Sequence, residues 1–322
     1  MFLVMKVVVA ILATLAPLLA QPDRFSTPAC AGEGLELADR AVFLVCFDSN
    51  LKVPVWTAHE IKPERLHGES ARPRQFQHDL GLSGPISRNS DYRGSGFSRG
   101  HMVPAEDMAW SDAAIRSTFL LSNAVPQRQS VNAGSWRQLE AAVHRIASVS
   151  DALYVFTGPI FEGDIERIGD GAVAVPTYTF KVVLAITGKR NTMYAAIVPN
   201  GPTGGKPLGY FTSTVEEVEL RTGLDFFGGL ADEEESRLQA SSESFPTGIR
   251  VAMKQAGAAP FDDSGRTINA TTSPGPAARS APRRRGRTSE VASRSGDAGR
   301  RSPHRFCSLQ FATWRRRNKQ DR

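Results

Sequence analysis

Only three of the 322 residues are cysteine, Cys30, Cys46 and Cys307, and they are too scattered to make a zinc site. Apart from one N-terminal segment, no stretch is long and apolar enough to cross a membrane. There is no internal repeat. Most of the chain also lacks a positive excess, although the formal net charge is +6. Residues 266–322 hold 15 Lys/Arg against 3 Asp/Glu, whereas residues 1–265 hold 24 against 30. The balances are +12 and −6, so the sequence pI near 9.4 is made by the tail. Basicity as an argument for nucleic acid therefore reaches only the tail, and the body must be judged on its site residues.

What is present is an ordinary globular composition, 41% hydrophobic and 22% charged, which excludes a wholly disordered or collagen-like chain. Residues 1–20 read as a signal peptide. Lys6 precedes the apolar run Val7–Leu19, which is too short for a comfortable span, and cleavage is expected near Ala20. The mature protein is then expected to be secreted or periplasmic, with no membrane attachment. In such a compartment Cys30 and Cys46 can form a disulfide that ties the N-terminus to the first strand, leaving Cys307 unpaired. Residues 258–322, dominated by Pro, Gly, Ser, Ala and Arg, read as a disordered basic tail. Residues 21–257 remain as the folded domain.

Within that domain, Ala41–Phe47 is a continuous apolar run and predicts a buried strand. Asp48-Ser49-Asn50 is turn chemistry, and Val53–Ala58 predicts the return strand of a hairpin. Residues 61–100 read as a long irregular excursion, the kind of loop that often carries function. Trp136, Leu139, Val143 and Ile146 share helical spacing and predict a helix over 132–149. Strands are predicted over Ala152–Thr157, Thr177–Ala185 and Met193–Val198, and a short helix over Val215–Arg221 closed by Gly223. Trp56 and Trp136 read as core. His59, His67, His78 and His144 lack partners at ligand spacing and read as ordinary histidines, and Glu106-Asp107 reads as a solvated face. Strands and helices mix without regular alternation, which predicts an α+β fold with a mainly antiparallel sheet.

The informative segment is Asp91–Pro104, centred on Ser98-Arg99-Gly100-His101. A neutral imidazole takes a proton from water near pH 7. A guanidinium grips phosphate oxygens through parallel hydrogen bonds. Glycines let the backbone approach a ligand. Together these suit phosphodiester chemistry. A second segment holds Ser122-Asn123, Pro126-Gln127, Asn132, Trp136 and Glu140. On an ideal helix Asn132 and Glu140 lie about 80° and about 12 Å apart, so both cannot contact one ion directly.

The combination resembles the DNA/RNA non-specific endonuclease family, the endonuclease G-like ββα-metal nucleases. The likeness runs from about Val42 to Phe227 and includes Thr157-Gly158-Pro159, Phe180-Lys181-Val182 and Thr222-Gly223-Leu224-Asp225-Phe226. It implies a central antiparallel sheet flanked by helices, and hydrolysis of DNA and RNA to 5′-phosphate ends. It implies Mg²⁺ as cofactor, with Mn²⁺ as the alternative. By the same resemblance His101 is the general base and Asn132 the single direct metal ligand. Glu140 holds the ion's water shell, Arg99 binds the scissile phosphate, and Arg74 matches an upstream phosphate-binding arginine. A homodimer and an inhibitor protein are the further partners the family suggests. Ser98 departs from the family's usual aspartate, which puts rate and cleavage mode in question and keeps an exonuclease-like variant open. The other reading is a non-catalytic protein that binds nucleic acid through its tail.

Overall fold

The computed structural model describes residues 26–247. The expected signal peptide, the expected tail and Cys307 lie outside the described residues. Three strands come first: β1 (Leu35–Asp39), β2 (Phe43–Asp48) and β3 (Val53–Ile61). Asp48 makes the predicted turn between the last two, its Oδ1 accepting from the backbone of Asn50 at 2.7 Å. The excursion after β3 contains a one-turn helix α1 (Asn89–Tyr92) and leads into β4 (Phe97–His101). Helix α2 (Asp112–Thr118) precedes β5 (Ala124–Arg128). A broken helix follows, made of α3 (Gln129–Val131), a π turn (Asn132–Trp136) and α4 (Arg137–Ala147). Then come β6 (Ala152–Ile160), a two-residue pair β7 (Arg167–Ile168) and β8 (Val173–Ala174), β9 (Tyr178–Thr187), β10 (Arg190–Pro199) and β11 (Thr212–Ser213). Helices α5 (Val215–Thr222) and α6 (Asp232–Gln239) close the described chain.

The main sheet has seven strands in the order β1-β2-β3-β6-β9-β10-β11, every neighbouring pair antiparallel. The α+β expectation is borne out. Because side chains alternate along a strand, each strand sends one set to each face. Trp56, Phe156, Phe180 and Val182 pack on one face against Val215, Val218, Leu238 and Phe226-Phe227. Leu153, Val155 and Val183 belong to the other core, with Val125 of β5 and Leu139, Val143 and Ile146 of α4. Cys30 and Cys46 are joined, with Cα atoms 5.6 Å apart, so the disulfide tethers the segment before β1 to β2.

The predicted strands are all present, and α5 ends as expected, with Gly223 in the left-handed region (φ 72°). Strands β4 and β5 were not expected. Gly and Ser dominate the approach to β4 and Pro126 interrupts β5, which erases their strand signal. The predicted regular helix over 132–149 is corrected: the helix starts at Gln129 and is broken where Gly134 leaves helical conformation (φ −108°, ψ −109°). The ideal-helix geometry for Asn132 and Glu140 therefore does not hold.

Candidate active site

Strands β4 and β5 pair antiparallel, from Phe97 opposite Arg128 to His101 opposite Ala124. The helix starts directly after β5, so the three elements form one ββα unit. It carries Ser98, Arg99 and His101 on its first strand, and Asn132 and Glu140 on its helix. The strands lie close: a side chain at Gly100 would begin 2.4 Å from Gln127 Oε1. The segment between them is fastened by Asn123, whose amide accepts from Val103 N (2.9 Å) and donates to the Val103 (3.0 Å) and Thr118 (2.9 Å) carbonyls. Ser98 donates through its hydroxyl to Gln129, tying β4 to the first residue of the helix.

His101 sits between two rings, 4.6 Å from Phe76 and 4.7 Å from Phe119, centroid to centroid. It is only 8% exposed, and its Nε2 is buried without a hydrogen-bond partner. Burial pushes its pKa down to about 3, and the nearby positive charge of Arg72 adds to the shift. The ring is therefore neutral at any physiological pH. Arg99 stands beside the same cluster, its guanidinium 5.7 Å from Phe76 and bonded to Asn89 Oδ1 at 2.7 Å.

The excursion contributes a residue that the sequence did not single out. Arg72 lies over Phe119 at 5.5 Å and pairs with Glu106 at 3.3 Å. Arg74 is exposed and makes no hydrogen bond or ion pair among the described residues. The signal that separates the two is Phe76, whose ring anchors the segment against His101. Asp79, three residues on, is buried and structural, holding Arg40 at 2.7 Å and accepting from Ser122.

Asn132 is half-buried in the π turn, and its amide makes no hydrogen bond to the described residues. The Glu140 carboxyl likewise accepts none. Burial pushes it up to about 8, against the pull of Lys181, with Asp107 and Glu106 pushing further in the same direction. Glu106 thus faces Glu140 electrostatically and pairs with Arg72, which faces His101, so the two halves of the site share one field. Asn132 and Glu140 offer hard, uncommitted oxygen donors, the chemistry that suits a hydrated Mg²⁺. Among the described residues no group of three or more His, Cys, Asp and Glu could cage a metal by itself.

Beneath Glu140 lies a buried polar network, and it corrects the reading of three residues. Asp107 is 4% exposed, not part of a solvated face, and accepts from His59 Nε2 (2.8 Å) and from His144 Nε2. His59 and His144 are therefore partnered, joining β3, α4 and the segment between β4 and β5. Burial opposes the Asp107 charge, but the two histidines outweigh it and hold the carboxyl well below the usual range. Burial draws His144 down, but Asp107, with Glu106 and Glu140, brings it above its ordinary value. Lys181 donates to Thr157 Oγ1 at 2.8 Å and lies 5.1 Å over the ring of Trp136, the last residue of the π turn. Asp107, His59 and His144 were hard to find because their partners are 37 and 48 positions away in sequence.

A two-stranded hairpin leading into a helix, carrying a neutral histidine, arginines and uncommitted oxygen donors, is the arrangement of the ββα-metal nuclease fold. The DNA/RNA non-specific endonuclease model matches residues 21–233. Mitochondrial endonuclease G of Bos taurus is 34% identical over 205 residues, covering 59% of this chain and 69% of that protein. Nuclease C1 of Cunninghamella echinulata var. echinulata is 33% identical over 223 residues, covering 64% and 87%. A solved structure described as the EndoG/EndoGI complex and the mechanism of EndoG inhibition is 30% identical, with a TM-score of 0.58, and covers 63% of this chain and 90% of that one. The chain belongs to the DNA/RNA non-specific endonuclease family and is a hydrolase acting on nucleic acids.

Proposed function

We propose that the protein is an exported, Mg²⁺-dependent nuclease that hydrolyses phosphodiester bonds of DNA and RNA to 5′-phosphate ends, with little regard to sequence. The observation that carries this reading is His101: a neutral imidazole, buried between two rings, with Arg72 and Arg99 at the same cluster.

His101 takes the proton of the attacking water. At about 3 its pKa guarantees the free base but makes that base weak. A bound phosphodiester changes this. When Arg72 leaves Glu106 for a phosphate oxygen, its charge is neutralised and the imidazole becomes more basic at the moment of use. Arg99 holds a second phosphate oxygen in the parallel geometry a guanidinium allows. Asn132 would hold Mg²⁺ directly and Glu140 through water, and a cation there returns the raised Glu140 carboxyl to its charged form. When bound, the ion stabilises charge on the phosphate and the leaving 3′-oxygen. Mn²⁺ shares this preference for oxygen ligands. All these residues address phosphate and none reads a base edge, which accords with indifference to sequence.

Export rests on the apolar run Val7–Leu19 and on the Cys30–Cys46 disulfide, a bond that persists in oxidising compartments. A homodimer and an inhibitor protein belong to the same reading as partners.

The test is closed circular plasmid with the full chain, in Mg²⁺ and in EDTA, beside His101→Ala. Cutting that needs both Mg²⁺ and His101 supports the proposal. Loss of linear duplex with the circle intact moves the reading to an exonuclease-like enzyme and points at Ser98. Binding of both substrates without cutting, by folded protein, leaves the tail-driven binding protein in front.

A further inference from the structure

A groove of about 730 Å³ opens where the ββα unit meets the segment after β10. One wall is Arg128 at the end of β5, with Ser130, Gly134 and Gln138 from the broken helix; the other is Pro202–Pro207. The second wall is fastened to the first by Asn200. Its amide accepts from Arg128 N at 2.8 Å and donates to the carbonyls of Pro126 (2.9 Å) and Pro176 (3.0 Å). The lining holds two cations, Arg128 and Lys206, and no carboxylate, in a body whose overall balance is negative. Gly204 and Gly205 both adopt positive φ (59° and 66°), and a side chain at either would meet nothing within 4 Å, so their backbone is open to a ligand. Beyond them stands Tyr210, 63% exposed, with Lys206 Nζ 4.1 Å above its ring.

We propose that this groove is a second nucleic-acid subsite that holds a single-stranded segment of the substrate. Phosphates lie on Arg128 and Lys206, and a base stacks on Tyr210. The inference rests on the nuclease reading and extends it from the scissile bond to the strand beyond. Cations that track a backbone beside an exposed aromatic ring are what single strands of any sequence require. The placement fits a polymer. Arg128 is four residues along β5 from the partner of His101, about 14 Å at the rise of a strand. A strand stacked as in a duplex covers that in about four nucleotides at a rise of about 3.4 Å each, and a more extended single strand in fewer.

The test uses the full chain carrying Lys206→Gln and Tyr210→Ala together, with Lys189→Gln as the control for loss of a remote lysine. All three positions are exposed, and a thermal melt checks folding. Cleavage is measured on a dinucleotide and on single strands of 4, 8 and about 20 nucleotides. The wild type should gain kcat/KM with length and level off once the strand spans the groove. The double variant should lose at least about fivefold on the longest strand, through KM, and progressively less as the strand shortens. Its salt dependence should also be shallower by about 0.7 in the log–log slope. Equal loss at every length, or undiminished gain with length, overturns the subsite. Binding is read separately, by anisotropy of a labelled 20-nucleotide strand on His101→Ala with and without the two substitutions. Unchanged affinity there overturns the groove even if the wild type cuts. Weakened affinity in a protein whose wild type cuts nothing overturns the nuclease reading and keeps the groove.

Discussion

On the face of the main sheet that carries α5 and α6, Trp56, Ala58, Phe156, Phe180 and Val182 come from the three central strands, and not one is polar. On the opposite face the same strands place Thr57, Thr157 and Lys181 side by side in register, with His59 two residues beyond Thr57. On the first face the central strands meet the helices by burial of apolar area. Its hydrogen bonds, Glu219 with Gln239 and Phe226, Glu234 with Asn191 and Arg221 with Glu162, are made within the helical layer or off those strands. The second holds its helix through hydrogen bonds and charge as well, at Lys181 with Trp136 and at His59 and His144 with Asp107. Buried charges cost stability unless fully partnered. Their concentration under the ββα unit, and absence from the strands of the other face, identifies positioning as their use. Apolar packing fixes a helix only to the tolerance of its contacts, whereas a donor and acceptor 2.8 Å apart fix one atom against another.

That contrast predicts variants that separate activity from stability. The largest effect belongs to His101→Ala, which should slow cleavage by about 10²–10⁴; single-turnover kinetics on duplex and on RNA read it. Phe180→Ala, on the apolar face, should cost about 3–5 kcal/mol in urea unfolding. Its kcat per folded molecule should stay near the wild-type value, and a proportional loss of kcat would remove the distinction between the faces. His144→Gln should cost about 1.5–3 kcal/mol near pH 6, the range for a hydrogen bond between charged partners, and should lower kcat as well. The sign with pH follows from the direction of the shift. His144 is raised in the folded state, so its contribution is full below the unfolded value near 6.5 and fades as pH rises through the folded one. The gap between wild type and variant should therefore narrow from pH 6 to pH 9; a gap that widens contradicts the charged pair. The smallest effect should be at Arg74→Ala, under about twofold in kcat/KM, beside a loss of roughly tenfold or more for Arg72→Ala if its charged hydrogen bond to phosphate is made. Reversal of that order would restore the sequence-based choice of Arg74.

Five of the seven strands of the main sheet, β2, β3, β6, β9 and β10, were legible because each is a local run rich in apolar residues, whereas the edge strands β1 (Leu-Glu-Leu-Ala-Asp) and β11 (Thr-Ser) carry no such run. The fold class followed from the irregular mixture of strands with helices. Arg99, His101, Asn132 and Glu140 were legible as a pattern because one supersecondary unit carries them all within 42 positions. Local patterns fail where an interaction is made by distant partners. Asp107 looked like a surface carboxylate because nothing nearby in sequence neutralises it; both its partners arrive by folding, from β3 and α4. Arg72 and Arg74 are indistinguishable in an irregular stretch until the Phe76 ring sets which one faces Phe119. The break at Gly134 was hidden because the apolar stripe of Trp136, Leu139, Val143 and Ile146 lies wholly on its C-terminal side.

The π turn also bears on thermostabilisation. Gly134 is the kind of residue that such a programme replaces first: it sits inside a helix, and a methyl group there would meet nothing within 4 Å. Alanine at that point of an ordinary helix gains about 0.5–1 kcal/mol. Here the gain would come by drawing the turn into regular α-helix, which rotates Asn132 away from its present direction while α4 stays docked on the sheet. A sturdier protein with a misaimed amide would result, and a screen that ranked variants by melting temperature would select it.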